Sequence, residues 1–541
     1  MSSFLFQWIL GLLGCGTFWW LLRHAGLMHF GLALYAATGA FASVLFLSAT
    51  HSWIGIELQV ALVPVVSAVV AWLLAAFMSR LIIRQSGLTF SMLSLAVAEM
   101  AYLLAPIWPH WTGGEAGWSI SRGSMSHLEV ALMAGFWLWM CVLAWHAWKR
   151  TPMALWAAVH RDREERLALW GVSGFDVRFQ MHGVASAIMG LWGGLAALWL
   201  EHVSLQLLDP MLSAWFLLFG WLGGASVWGL LMGSFAWAVF RVWGGVWSDS
   251  LPLWLGLLFV VVMVWRSRSL TPSSAHQGQP WLGTGSALVG QMNDQSVSQA
   301  SIQNSMPVVL QLQNVSVVMQ GVVLLKPIDL ALQQGQWLGI RGVNGAGKST
   351  LLKAITGERA IEPGGRILFL GRDITQVSVI ERARLGICRS YQSPALMNQM
   401  TVGEHVMVAI ASKDQRPRWV TDVPAVHSGA TCPRADLRSA WRTQALSWLQ
   451  RVGLESYADA SVHQLSYAQQ RLLECVMTAA FSPILVLLDE PTAGLNPIER
   501  QSMAEIMKDL FVGSTCILVE HDADVLETLC VRVIEISSCS S

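Results

Sequence analysis

The chain has 541 residues, 54% of them hydrophobic and 13% charged, with a formal net charge of +0 and a mean hydropathy of +0.50. Soluble domains carry about 25% charged residues, so a chain soluble throughout is excluded. The balanced charge excludes the basic footprint of a nucleic-acid binder, and eight cysteines without a C-x-x-C pair indicate neither a disulfide framework nor a zinc site.

The charge deficit lies in the first 266 residues. Apolar runs fall at 4–22, 28–50, 58–83, 88–108, 128–148, 183–203, 211–225, 228–247 and 250–266. About 20 apolar residues in a helix span the ~30 Å bilayer core. A polytopic α-helical membrane domain of about eight or nine transmembrane helices is therefore expected over 1–267. The first run lacks a small-residue cleavage site and reads as a mature membrane helix. The pair between 211 and 247 is short and Gly-rich, and a re-entrant hairpin is its alternative reading. Arg23, Arg80, Arg84, Lys149, Arg150, Arg161, Arg163, Arg166, Arg266 and Arg268 are assigned to the cytoplasm by the positive-inside rule. Nine crossings then put the N-terminus outside, with Arg122 and Arg241 as exceptions. Most of the 29 tryptophans sit in this half, as interfacial anchors do.

Two features interrupt the apolar pattern. Glu99 lies inside an apolar run, where an acid marks either a functional site or a pair with a neighbouring helix. His29, Thr38, Ser91 and Ser94 either line a path or bond their own backbone, and the second reading is favoured. Arg161-Asp162-Arg163-Glu164-Glu165-Arg166 has mixed charge at helical spacing, with Trp156, Val159, Leu167 and Trp170 as an apolar face. An amphipathic cytoplasmic helix over about 157–171 is expected.

Residues 268–306 are rich in Ser, Gln, Gly and Asn and read as a flexible linker. From about 307 to 541 the pattern is globular α/β. Strands are expected at 308–312, 337–340, 485–488 and 516–519, and a helix at 349–355. The loop Gly342-Val343-Asn344-Gly345-Ala346-Gly347-Lys348-Ser349-Thr350 joins the second strand to that helix. It fits G-x-x-x-x-G-K-[ST], a phosphate-binding loop. Gly342, Asn344, Gly345, Gly347 and Thr350 belong to this nucleotide-binding loop. Its glycines let backbone N–H groups wrap phosphates, and the helix N-terminus adds a favourable dipole. Lys348 is expected to reach the β- and γ-phosphates of ATP, and Ser349 to ligate Mg²⁺. The strand at 485–488 ends in Asp489-Glu490: Asp489 is a Mg²⁺ ligand through water, and Glu490 a general base for the attacking water.

Residues 308–534 resemble the nucleotide-binding domain of ABC transporters. The motifs stand in order: the phosphate loop, Tyr391-Gln392, Leu465-Ser466-Tyr467-Ala468-Gln469-Gln470-Arg471, Asp489-Glu490, Ala493-Gly494-Leu495-Asn496 and His521. The resemblance implies an ATP hydrolase whose two domains pair head to tail, Ser466 and Gln469 serving the nucleotide of the partner. It makes Gln392 a sensor of Mg²⁺ and of the membrane domain, and His521 a γ-phosphate contact. Two residues depart from the family. Ala468 replaces a signature glycine, and in a left-handed conformation its β-carbon costs about 1–2 kcal/mol. Met319 falls where an aromatic stacks on adenine.

The membrane half resembles permeases of branched-chain amino-acid importers, which have urea- and amide-importing relatives. The likeness is carried by 84–90 with Ala96-Val97-Ala98-Glu99, Thr112-Gly113-Gly114-Glu115-Ala116-Gly117, the amphipathic segment, and the glycines at 223–233. It implies a coupling helix at 157–171 that docks near Gln392. It also implies a bacterial inner-membrane importer with a cytoplasmic ATPase, a second permease, a second ATPase and a periplasmic solute-binding protein. Import of urea or short amides, export of a hydrophobic compound, and a degenerate ATPase acting as a regulatory subunit remain the alternatives.

Overall fold

The computed structural model describes residues 2–50, 55–222, 226–243, 307–414 and 437–536, with isolated positions at 53, 224, 256, 257, 260, 261 and 264. The expected linker, most of the last apolar run, Arg266, Arg268, Cys432, Cys539 and Gly223 lie outside the described residues. The chain divides into two compact units.

The helical unit contains α1 (Ser2–Ala25), α2 (Leu32–Thr50), α3 (Ile56–Ile82), α4 (Gly87–Leu104), the one-turn α5 (Pro109–Thr112) and α6 (His127–Trp148). It continues, after a segment that belongs to the other unit, with α8 (Gly174–Leu200), α9 (Met211–Leu222) and α10 (Val227–Trp243). Among the described residues six helices are long and apolar enough to cross a membrane: α1, α2, α3, α4, α6 and α8. The helices α9 and α10 are shorter and apolar. A helix closes its backbone hydrogen bonds within itself, which suits these segments to a solvent without water. Helices α1, α2 and α8 are mostly buried within the unit. Helices α3, α4 and α6 turn Trp72, Phe77, Met92, Leu132, Phe136 and Trp139 outward.

Glycines set the inner packing. A β-carbon on Gly193 of α8 would lie 1.8 Å from the Ala36 carbonyl of α2, and one on Gly190 would lie 2.3 Å from Ala71 Cβ of α3. Helices without a hydrophobic driving force between them associate through such close approaches. Gly233 of α10 meets the Phe219 carbonyl of α9 in the same way, at 1.9 Å. A two-residue ladder, β1 (Trp118–Ser119) with β2 (His202–Val203), closes the loops after α5 and α8.

The α/β unit begins at 307. A parallel sheet has the order β11-β5-β10-β9-β8, from β5 (Trp337–Arg341), β8 (Ile387–Arg389), β9 (Leu485–Asp489), β10 (Thr515–Val519) and β11 (Arg532–Glu535). All five residues of β9 and of β10 are buried, as continuous apolar strands covered on both faces are. A second, antiparallel sheet has the order β4-β3-β6-β7, from β3 (Val308–Met319), β4 (Val322–Gln333), β6 (Arg366–Phe369) and β7 (Arg372–Asp373). The helix α11 (Lys348–Thr356) follows β5 and packs Leu351, Leu352 and Ile355 into the core. Its last carbonyls, Ala354 and Ile355, accept hydrogen bonds from the buried Arg382 at 2.8 and 2.9 Å. A cation there complements the helix C-terminus. Further helices are α12 (Val379–Arg384), α13 (Val402–Lys413), α14 (Leu437–Arg451), α15 (Tyr467–Ala480), α16 (Pro497–Leu510) and α17 (Ala523–Leu529).

Residues 150–174 belong to this α/β unit and not to the helical one. They form α7 (Pro152–Leu169), which starts five residues before the expected boundary. Pro152 takes the first helical position, where its missing N–H and fixed φ fit. Arg163 breaks the helix at φ −154°, ψ 74°, so α7 is two short helices at an angle. Trp156, Val159, Leu167 and Trp170 are all buried. Trp156 Nε1 donates to Ser412 Oγ of α13 at 3.3 Å, the Gln399 amide donates to Asp162 Oδ2 at 3.2 Å, and Arg384 Nε of α12 donates to the Gly171 carbonyl at 2.8 Å.

Candidate functional site: a phosphate loop facing an acidic strand end

The loop after β5 is shaped by its glycines. Gly345 and Gly347 have φ of +83° and +94°, which L residues rarely adopt. A β-carbon on Gly347 would lie 2.4 Å from the Leu324 carbonyl, whereas Gly345 has open space. Lys348 turns back along the loop: its Nζ donates to the Gly342 and Val343 carbonyls at 2.7 and 3.2 Å. The ammonium is thus held over the concave side of the loop, at the start of α11. The first N–H groups of a helix have no intrahelical partners. This cradle fits a nucleotide's phosphates.

The strand β9 brings its acids to the same place. Asp489 is 1% exposed. Its Oδ1 accepts from Ser349 Oγ at 3.3 Å, and its Oδ2 accepts from Arg389 at 2.8 Å. A hydroxyl and a carboxylate oxygen side by side are the hard donors that Mg²⁺ takes, so the residues present fit that ion. Arg389, at the end of β8, also pairs with Glu358 at 3.0 Å. It compensates a carboxylate that burial would otherwise penalise. Sequence reading missed Arg389. Its signal was a cation three residues before Gln392, closing an apolar strand.

Glu490 follows at φ +48°. A non-glycine residue there carries about 1–3 kcal/mol of strain, which structures retain mainly at functional sites. Gln392 Nε2 donates to Glu490 Oε2 at 3.1 Å, and His521 Nε2 lies 3.2 Å from Glu490 Oε1. The same Nε2 is 3.3 Å from Lys348 Nζ. One ring nitrogen either donates to the carboxylate or accepts from the ammonium, so the tautomer selects the partner. Glu520 positions His521. Its buried carboxylate accepts from the Thr492 amide, the Thr492 hydroxyl and the His521 amide at 2.9, 2.7 and 3.1 Å. Lys348, Ser349, Gln392, Asp489, Glu490 and His521 are therefore brought together in one place.

Ser466 and Gln469 lie elsewhere in the unit. They form the capping box of α15: Ser466 Oγ accepts from the Gln469 amide, and Gln469 Oε1 accepts from the Ser466 amide. Ala468 is in the first turn of this right-handed helix and is not among the positive-φ residues. The condition for left-handed strain at Ala468 is therefore not met: the position lies in the helix that the capping box opens. Tyr467 reaches the Ala493 carbonyl at 3.3 Å and Gly494, at φ +81°, leaves room for its ring. Met319 ends β3, exposed, beside Arg359.

In the helical unit Thr38, Ser91 and Ser94 each bond a carbonyl of their own helix. Glu99 is exposed on α4. The buried His29 meets His182 of α8 at 2.9 Å, and His182 meets Tyr35 at 3.1 Å. His182 was not singled out from the sequence.

Residues 325–493 match the family described as ABC transporter, and residues 5–265 match the family described as branched-chain amino acid transport system, permease component. The chain belongs to the ABC transporter family. It is a multi-pass membrane protein with an ATP-hydrolysing cassette fused behind a permease-type domain. The cassette is 32% identical over 207 residues to the high-affinity branched-chain amino acid transport ATP-binding protein LivG of Salmonella typhimurium, covering 37% of this chain and 77% of that protein. It is 30% identical over 220 residues to BraF of Pseudomonas aeruginosa, covering 40% and 83%. It is 31% identical over 229 residues to the spermidine/putrescine import ATP-binding protein PotA of Spiroplasma citri, covering 42% and 58%. A solved ATP-binding cassette of an ABC transporter in its ADP conformation is 23% identical, with a TM-score of 0.36, over 42% of this ABC transporter and 87% of that chain.

Proposed function

We propose that this chain is the fused permease and ATPase subunit of a bacterial inner-membrane importer for branched-chain amino acids or closely related solutes. The observation that carries the reading is the permease match over 5–265, joined in one chain to an intact set of ATPase residues. LivG and BraF are named for branched-chain amino acid transport and PotA for polyamine import, at nearly equal identity. The cassette alone therefore does not select the solute, and the membrane half supports the choice.

In this reading Lys348 and the loop N–H groups hold the ATP phosphates, and Glu490 polarises the attacking water. His521 steadies the γ-phosphate, and Gln392 senses Mg²⁺ and touches the membrane domain. Ser349, Gln392 and Asp489 would hold Mg²⁺, which would supply charge neutralisation at the phosphates. Ser466 and Gln469 serve the nucleotide of a second ATPase domain, and a second permease completes the pore. A periplasmic binding protein delivers the solute. The helix α7 acts as the coupling helix, and its burial against α12 and α13 supports its docking on the cassette of its own chain.

The test is uptake of labelled leucine by cells lacking this gene. The wild-type chain is expected to restore uptake, with isoleucine and valine as competitors, and Lys348→Ala to leave it absent. Leucine uptake unaffected by the deletion, with accumulation of a hydrophobic compound instead, would establish the exporter reading.

A further inference from the structure

We propose that Arg166 is a pin through which α7 grips two ATPase elements at once, the glutamine loop at 391–399 and the signature helix α15. This rests on α7 acting as the coupling helix. Arg166 is buried on the second half of α7, beyond the break at Arg163. One arm of its guanidinium donates to the Ala395 carbonyl, and the other lies 3.3 Å from Glu474 Oε1. Its plane lies over Trp170 and Tyr391, at 5.0 and 5.4 Å from the ring centroids.

Glu474 is the second half of the device. It is 2% exposed, in the middle of α15, whose N-cap is Ser466. The same Oε1 accepts from the Tyr391 amide at 3.0 Å, one residue before Gln392. From the other side Arg471 donates to the Tyr391 carbonyl at 3.1 Å and to the Gln392 carbonyl. The backbone around Gln392 is therefore held on the carbonyl side by Arg471 and on the amide side by Glu474, and both belong to α15. Arg166 closes the same carboxylate from α7. Burial raises the pKa of Glu474, and Arg166, the Tyr391 amide and Arg471 offset this only in part. A buried ion pair adds little net stability against apolar filling, and a fixed register between elements is its best-attested use. Here the register joins Gln392, Ser466 and α7, so nucleotide-driven movement of α15 passes directly to α7.

The test separates pinning from simple support of the fold. Arg166→Met takes the nearest cation from the buried carboxylate, leaving Arg471 and the Tyr391 amide, and is expected to impair the cassette as well as the docking of α7. Arg166→Met/Glu474→Gln removes that charge, and a glutamine carbonyl still accepts from the Tyr391 amide. The full chain, purified with whatever subunits accompany it, is measured by ATP hydrolysis and by hydrogen exchange over 164–171. The double variant is expected to hydrolyse ATP within about threefold of wild type, while residues 164–171 exchange at least about tenfold faster, as an undocked segment does. Arg166→Lys keeps the charge without the planar fork and is expected to fall between wild type and Arg166→Met. Wild-type protection of 164–171 in the double variant would overturn the pin, because the pair would then only fill space. Full exchange over 152–171 in the wild-type protein would overturn the coupling-helix reading itself, and the pin with it.

Discussion

Glu490 sits in a left-handed conformation with its carboxylate between Gln392 and His521. The adjacent Asp489 is occupied by Ser349 and Arg389, so Glu490, held by Gln392 and His521, is the acid assigned to the water. Glu490→Gln is expected to keep nucleotide binding and to lower hydrolysis by about 10²–10⁴-fold, the usual range for a lost general base. Retention of labelled ATP together with the hydrolysis rate checks this, and near-wild-type turnover would remove Glu490 from the role. Ala468 leads to a different expectation from the one its sequence suggested. In a right-handed helix glycine is less favourable than alanine by roughly 0.5–1 kcal/mol. Ala468→Gly is therefore expected to lower the cassette's thermal midpoint by a degree or more, with no relief of strain. A raised midpoint would show that the alanine is strained after all. The order of motifs made Lys348, Asp489, Glu490 and His521 legible in the sequence. The helical state of Ala468 was not legible, because it depends on the Ser466–Gln469 capping box, a local contact that no residue type announces by itself.

At the scale of elements, the socket of α7 contains a neutral histidine. His405 is fully buried at the start of α13; its Nε2 accepts from the Met397 amide at 2.9 Å and its Nδ1 donates to the Thr401 carbonyl at 2.7 Å. Burial pulls its pKa down to about 4, from about 6.5 in an unfolded chain. A base with a depressed folded pKa stabilises the fold above its unfolded pKa. That contribution is lost as pH falls from about 6.5 towards 4, on the order of 3 kcal/mol over the full window. Calorimetry of the protein between pH 7 and 4.5 is expected to show this loss, and His405→Gln to flatten it. An unchanged slope in the variant would assign the acid sensitivity to other groups. The outer surface of α7 gives a second test. Glu165 is exposed and Glu164 half-buried. Glu164 lies 3.6 Å from the buried His160, so Glu165 alone is reversed to lysine; this is expected to change stability by under about 0.5 kcal/mol, yet to reduce solute moved per ATP hydrolysed. An unchanged ratio would mean that this face plays no part in coupling. The amphipathic pattern around Arg161 to Arg166 made α7 legible. Its break at Arg163 and the Arg166–Glu474 pair were hidden, because they follow from docking against residues more than two hundred positions away.

At the scale of the whole molecule, composition separated a membrane half from a polar half, and the structure describes six long apolar helices and two shorter ones before the α/β unit. Helix lengths and glycine contacts in the membrane half were only partly readable, since Gly190, Gly193 and Gly233 owe their positions to neighbouring helices rather than to their own segments. Hydrolysis at Lys348 and Glu490 is proposed to drive solute movement through the fused membrane half. The most direct measurement is uptake of labelled leucine into proteoliposomes. They carry the complex purified through this chain, with its binding protein outside and ATP inside. ATP-dependent accumulation is expected to track phosphate release and to fall to background in both Lys348→Ala and Glu490→Gln. Accumulation that persists in Lys348→Ala, or phosphate release at the full wild-type rate without any solute movement, would contradict it.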